Sequence, residues 1–197
     1  MSSNVTSILV AGVGGQGVVL SSEIIARAAM LSGFDVKKTE VHGVAQRGGT
    51  VISHVRFGDM VFSPLAPVGS VDILMAYEKL EGLRFSHYLK AGGDVIFNEE
   101  QIVPTRYIGE KIPYPSGIEE MMRNMGYELH TIDSRNIAQA AGSRRAFNVV
   151  MLGALSRLLD LEKSYWKRAV RDSLPERLHD LNLKAFEMGR TALVRSR

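Results

Sequence analysis

The residues with chemical potential gather in two glycine-rich stretches. The first, Gly12-Val13-Gly14-Gly15-Gln16-Gly17, follows the apolar run Ile8–Ala11 and contains G-x-G-x-x-G at Gly12, Gly14 and Gly17. A glycine at the first position permits a sharp turn off a strand. One at the second leaves no side chain between backbone and a ligand, and one at the third lets a following helix pack close. The unpaired N–H groups of that helix start favour an anion. The same pattern also arises in turns that only pack. The second stretch, Val41–Thr50, interleaves His42, Gln46 and Arg47 with Gly43, Gly48 and Gly49. Arg47 offers a fork of donors suited to carboxylate or phosphate. The loop follows a predicted strand, on the side where open α/β sheets bind ligands; a solvated connection is the alternative. Glu40 stands where a dinucleotide fold places its ribose-binding acid, about 20 residues past the motif, or is an exposed carboxylate at a strand end. Asn148 is a polar residue beside an almost wholly apolar run, so it either caps that helix or bonds across an interface.

Other chemistries are excluded or unsupported. The chain of 197 residues contains no cysteine, which removes disulfides, zinc thiolates and Cys-ligated iron–sulfur clusters from it. No G-x-x-x-x-G-K-[ST] or G-x-S-x-G is present, and the five histidines show no H-x-x-x-H spacing. No metal site and no catalytic residue is therefore assigned. Lys and Arg total 24 against 21 Asp and Glu, a net charge of +3. The excess is slight and forms no stripe, so nucleic acid is not an expected partner. No apolar run reaches the length of a membrane span. Met1-Ser2-Ser3-Asn4 lacks the pattern of a secretion signal, and a cytoplasmic location is expected.

The elements that must hold these residues follow from periodicity. Strand patterns occur at Thr6–Ala11, Phe34–Glu40, Thr50–Phe57, Val71–Ala76, Asp94–Asn98 and Glu128–Ile132. The mixed face of Thr50–Phe57 (Thr50, Ile52, His54, Arg56) is solvated or turned to a partner, and Met60–Ser63 is a candidate antiparallel return. Helix patterns occur at Gly17–Leu31, Tyr77–Lys90, after Ser116 as N-cap with Glu119 in a capping box, and from Asp133 or Ser134 to Gly142. Val149–Leu159 is apolar nearly all round and must be buried. Later helices carry Tyr165–Val170 and the stripe Leu178, Leu181, Ala185, Met188 and Ala192, which packs within the domain or against a partner helix. Strands alternating with helices give an α/β fold: a Rossmann-like, mostly parallel twisted sheet with helices on both faces. It has room for an antiparallel edge strand and ends in a helical C-terminal extension, about 160–197. No linker or repeat divides residues 1–197, so a single domain is expected.

Three stretches carry a resemblance to a known family: GVGGQGV at Gly12–Val18, EVHGVAQRGGTVISHVRFGD at Glu40–Asp59 and AFNVVMLGAL at Ala146–Leu155. Together they resemble the gamma-type domain of 2-oxoacid:ferredoxin oxidoreductases, most of all the small (beta) subunits of the indolepyruvate type. The middle stretch is the most specific. The resemblance spans strand one to about Leu159. It implies an accessory subunit, with a large alpha subunit carrying thiamine diphosphate, Mg and [4Fe–4S] clusters. The complex would oxidatively decarboxylate aryl 2-oxoacids, with coenzyme A as acyl acceptor and ferredoxin as electron acceptor. Coenzyme A is then a shared substrate that could reach this chain, which holds no cofactor of its own. The thiamine signature G-D-G is absent: Gly93-Asp94 is followed by Val95. Gly12, Gly14, Gly15, Gln16, Gly17, Glu40, His42, Gln46, Arg47, Gly48, Gly49 and Asn148 are the expected cofactor- or partner-facing residues. Two alternatives stay open. One is a stand-alone NAD(P)- or flavin-binding protein using Gly12, Gly14, Gly17 and Glu40. The other is a homodimeric regulatory module pairing through the Val149–Leu159 and Leu178–Ala192 helices.

Overall fold

A computed structural model describes residues 5–42, 49–102 and 113–193. Its strands are β1 (Val5–Val13), β2 (Asp35–His42), β3 (Thr50–Gly58), β4 (Val71–Ala76), β5 (Leu89–Asn98) and β6 (Glu128–Ile132). They form one sheet in the order β2-β3-β1-β4-β5-β6. β1, β4, β5 and β6 run parallel, whereas β3 is antiparallel to both β1 and β2. The antiparallel strand is thus not at the edge. A short return from β2 must reverse the chain, and β3 is buried on both faces, so it takes the inner place. β2, with Lys37, Lys38 and Glu40, is left at the rim, where charge discourages further strand pairing. The second face of β3 is likewise not solvated: Ile52 and His54 are buried.

Helices flank both faces. α1 (Val18–Leu31), α4 (Ser134–Ala141), α5 (Phe147–Leu155), α6 (Lys163–Ser173) and α7 (His179–Ala192) share a core with Ile8, Val10, Ile73, Met75 and Ile96. On the other side α2 (Lys79–Phe85) and α3 (Ile118–Asn124) cover Leu9, Ala11, Leu74, Val95 and Phe97. Alternate residues of each central strand feed opposite cores, as the period of two requires. All nine residues of α5 are buried. A Cβ on Gly153 would lie 2.1 Å from the Phe186 carbonyl oxygen, and one on Gly189 would lie 2.0 Å from that of Val150. The two helices therefore cross backbone to backbone, and the apolar stripe of α7 finds its partner helix inside the chain. Its Ala185 and Phe186 are fully buried there, so the pairing surface of the regulatory-module alternative is already occupied.

Three element expectations need correction. The helix expected over Tyr77–Lys90 stops at Phe85, passes through a 3-10 turn at Ser86–Tyr88, and gives way to β5 at Leu89. Burial of Leu89 beside Val71 draws the chain back into the sheet early. α3 is preceded by Gly117 at φ 74°, a left-handed residue with no side-chain cap, rather than by Ser116. No strand forms over 60–63; that segment is an irregular strap.

Candidate functional site

The chain leaves β1 leftward through β2 and β3 and returns on the other side at β4, so the sheet's topological switch point lies between β1 and β4. Open α/β sheets place ligands at the carboxyl ends of such strands. The glycine turn occupies that end of β1. Gly17 adopts φ 84° as N-cap of α1, a conformation suited to glycine. A side chain there would also strike the Asn148 carboxamide, whose Nδ2 lies 2.8 Å from the Cβ position. Gly17 thus brings α1 against the start of α5, not only against the strand. A Cβ on Gly12 would meet Gln16 Oε1 at 2.8 Å and Tyr77 Cβ at 3.1 Å, so this glycine makes room for the side chain of Gln16.

Gln16 is the internal brace of the turn. Its Oε1 accepts from the Val13 amide (2.7 Å), and its Nε2 donates to the Tyr77 carbonyl (3.1 Å) and to Glu100 Oε2 (3.2 Å). Asn98 Nδ2 donates to the same two acceptors, and Asn98 Oδ1 accepts from Ser134 Oγ (2.6 Å). Glu100 Oε1 pairs with Arg135 at 2.6 Å, and the Arg135 guanidinium lies 4.3 Å above the Phe147 ring. Tyr77 is wholly buried. Its hydroxyl pairs with Ser21 Oγ (2.6 Å) and donates to the Asn148 carbonyl (3.3 Å). Desolvation drives that phenol far above its ordinary range, so it stays a neutral donor. One network thus joins the turn to the ends of β4 and β5 and to the starts of α1, α4 and α5.

On its outer side the turn opens onto a groove of about 630 Å³. Its walls are the backbone of Gly14, Gly15 and Gly17, the first turn of α1, and the side chains of Val13, Val18, Leu20 and Val51. The first intrahelical bond is donated by Ser21 to the Gly17 carbonyl, so the amides of Val18, Val19 and Leu20 lack helical acceptors. Glu23 stands at the groove with a pKa below the ordinary carboxylate value, held down chiefly by the Lys38 hydrogen bond and also by Arg27. Its charge is balanced locally. The groove thus sets backbone donors beside apolar walls. Among the described residues no group of His, Asp and Glu could hold a metal ion.

The expected site residues divide accordingly. Gly12, Gly14, Gly15, Gln16, Gly17 and Asn148 meet at the turn. Gly49 joins them, its carbonyl accepting from the Gly14 amide at 2.9 Å. Asn148 does not cap α5, whose N-cap is Ala146 without a side-chain bond; it lies in the helix's first turn, where its Oδ1 accepts from the Val149 amide. Glu40 does not stand next to β1, because β3 intervenes. It pairs with Lys38 at 2.7 Å, and Lys38 also reaches Glu23. The geometry of a ribose-binding acid is therefore not reproduced. His42 ends β2, and nothing is described of its side chain; Gln46, Arg47 and Gly48 lie outside the described residues. Tyr77, Asn98, Glu100, Ser134 and Arg135 carry no sequence signal, since they converge from three separate strand and helix ends. A smaller cleft of about 290 Å³ lies between α2 and α3. There the Tyr114 hydroxyl donates to the buried Glu78, and burial followed by that carboxylate pushes the phenol well up. Lys79 pairs with Glu119 at 2.7 Å beside it.

A family model described as "Pyruvate ferredoxin/flavodoxin oxidoreductase" matches residues 7–192. The chain is similar to "Indolepyruvate oxidoreductase subunit IorB" of Archaeoglobus fulgidus, 38% identical over 196 residues, covering 97% of this chain and 96% of that one. It is likewise similar to the IorB subunit of Thermococcus kodakarensis, 36% identical over 189 residues and 93% of each chain. Among solved structures, the gamma subunit of a keto/oxoacid ferredoxin oxidoreductase from Geobacter sulfurreducens superposes with TM-score 0.72 at 27% identity. That match covers 95% of this chain and 97% of the other. No helix among the described residues is long and apolar enough to cross a membrane.

Proposed function

This chain belongs to the pyruvate ferredoxin/flavodoxin oxidoreductase family, as an IorB-like small subunit of a 2-oxoacid:ferredoxin oxidoreductase, and from that premise we propose the reaction it serves and the surface it contributes. The reaction is oxidative decarboxylation of aryl 2-oxoacids such as indolepyruvate to the acyl-CoA, with electrons passed to ferredoxin. The large alpha subunit carries thiamine diphosphate, Mg and [4Fe–4S] clusters, which supply decarboxylation and electron transfer. This chain has no cysteine with which to bind a cluster. Its part is to complete the site with the glycine turn, Gly49 and residues 43–48, including Gln46 and Arg47. Coenzyme A is the shared ligand that the groove would receive. Residues 1–197 act as one folded unit in this role.

The observation that carries the reading is the braced turn at the switch point. Free α1 amides and bare glycine backbone face outward there, while Gln16 and its network face inward. Such a surface presents donors without supplying a base or nucleophile, and that suits a subunit completing another chain's site. Affinity purification from the native extract tests the assignment: a large, cysteine-bearing, thiamine-dependent chain should come with it. In the reconstituted complex Arg47→Ala should lower coenzyme A-dependent ferredoxin reduction while the small subunit stays folded. Unchanged turnover, or useful oxidation of a substrate by this chain alone, would refute the proposal.

A further inference from the structure

The segment from Asp59 to Ser70 joins β3 to β4 without forming a helix or strand, about the length beyond which irregular connections are uncommon unless functional. It is nonetheless fixed at many points. Asp35 Oδ2 accepts from the Val61 amide (2.8 Å). Arg56 donates through Nη1 to the carbonyls of Ser63 (2.8 Å) and Leu65 (3.2 Å) and through Nε to Ser7 Oγ (3.1 Å). The Ala66 amide donates to His54 Nδ1, and the Gly69 amide to the His87 carbonyl. Pro64 and Pro67 restrict the backbone further. Val61 and Ala66 are buried beneath, while Met60, Phe62, Leu65 and Val68 stand outward, Phe62 85% exposed and Val68 65%. A strap held in one shape, with its large apolar side chains in water, is a prepared contact surface rather than chance exposure.

We infer that this strap is the surface through which two copies of the chain pair. Three observations select a second copy. First, apart from the exposed Asp59 at its start, the bordering charges already have partners within the chain: Asp35 with Lys37, Asp72 with Lys90, and Arg56 on the strap's own carbonyls. What remains is largely neutral and apolar, and a two-fold contact lays the patch against itself and needs such self-complementarity. Second, the four side chains expose on the order of 500 Å² per copy. Pairing that covered all of it would remove on the order of 1,000 Å² in all, about the lower bound of a specific interface. Third, the strap leaves the sheet at Gly58, which pairs with Val5 at the opposite end of β1 from the glycine turn. The separation is roughly 25 Å at the rise of a strand, so the patch stays open while the turn faces another chain. The third point rests on the proposed function; the first two do not.

Sedimentation velocity of the full chain, purified alone and followed across the micromolar range, tests it. The expected result is a monomer–dimer equilibrium that Phe62→Asp weakens by about thirtyfold or more, the factor typical of a central interface anchor. Circular dichroism, and melting at concentrations where the chain is monomeric, should be unchanged, because Phe62 lies almost wholly in solvent in the single chain. A chain that stays monomeric throughout the range overturns the inference, and so does a dimer indifferent to Phe62→Asp. If the chain alone is monomeric and Phe62→Asp loses the large subunit on co-purification, the patch belongs to that subunit and the second-copy reading falls.

Discussion

Replacing Gln16 separates the two jobs of its carboxamide. In Gln16→Ala the Val13 amide loses its acceptor, whereas the Tyr77 carbonyl keeps Asn98 as donor and Glu100 keeps Asn98 and Arg135. A stranded, part-buried donor costs about 1–3 kcal/mol. With the small void left behind, the loss is about 2–4 kcal/mol, or roughly 5–12 °C of melting temperature for a chain of this size. Gln16→Glu is nearly isosteric and still accepts from Val13. It places an oxygen, however, where Nε2 now lies 3.1 Å from the Tyr77 carbonyl and 3.2 Å from Glu100 Oε2. Burying a second carboxylate beside Glu100 should cost about 3–5 kcal/mol, more than deleting the side chain. The introduced carboxyl would have a folded-state pKa above its unfolded value of about 4.3. The penalty is therefore full at neutral pH and fades as the pH falls through that raised pKa and the proton restores a donor. Urea unfolding of both variants at neutral and acid pH reads this order. A Gln16→Glu protein as stable as wild type at neutral pH, or more stable than Gln16→Ala, would refute the account of the brace.

Gly189→Ala gains about 1 kcal/mol of helix propensity but puts a Cβ 2.0 Å from the Val150 carbonyl oxygen. Urea denaturation should show a net loss of about 2 kcal/mol or more as α5 and α7 are forced apart. Tyr114→Phe removes the hydroxyl that donates to Glu78 and accepts from the Leu80 amide; the melt should report about 1.5–3 kcal/mol. Glu119 has its pKa lowered, first by the Lys79 hydrogen bond, from an ordinary 4.5. Its contribution is present above that value and lost as the pH falls below it. Lys79→Met should reduce this acid dependence, leaving the part due to Arg123 at 3.3 Å, and solvent screening keeps the difference under about 1 kcal/mol.

Where local patterns dominate, the sequence can be read directly. Ile8–Ala11, the glycine turn and α1 follow from an apolar run, a turn and a helical stripe, and α5 from apolar residues on every side. The two ends of β5 show the limit. Asp94–Asn98 is a clear strand, but Leu89–Gly93 joins it only because Leu89 is drawn in beside Val71, a tertiary effect that overrides a helical pattern. The place of β3 between β2 and β1 is equally invisible locally, and with it goes the reading of Glu40 as a ribose acid. At the site, Gln16 lies inside a recognisable motif. Tyr77, Glu100 and Arg135 do not: they meet it across 61 or more positions, and single polar residues at strand ends leave no periodic trace.

The backbone-to-backbone crossing of α5 and α7 also bears on how the chain is made. α5 is hydrophobic along its whole length, and the helix that shields it is translated after the intervening α6. During synthesis the apolar residues of α5 that α7 covers stay exposed until α7 clears the ribosome. A truncation before His179 should yield aggregates rather than a smaller folded protein, even though the glycine turn and every strand would still be encoded.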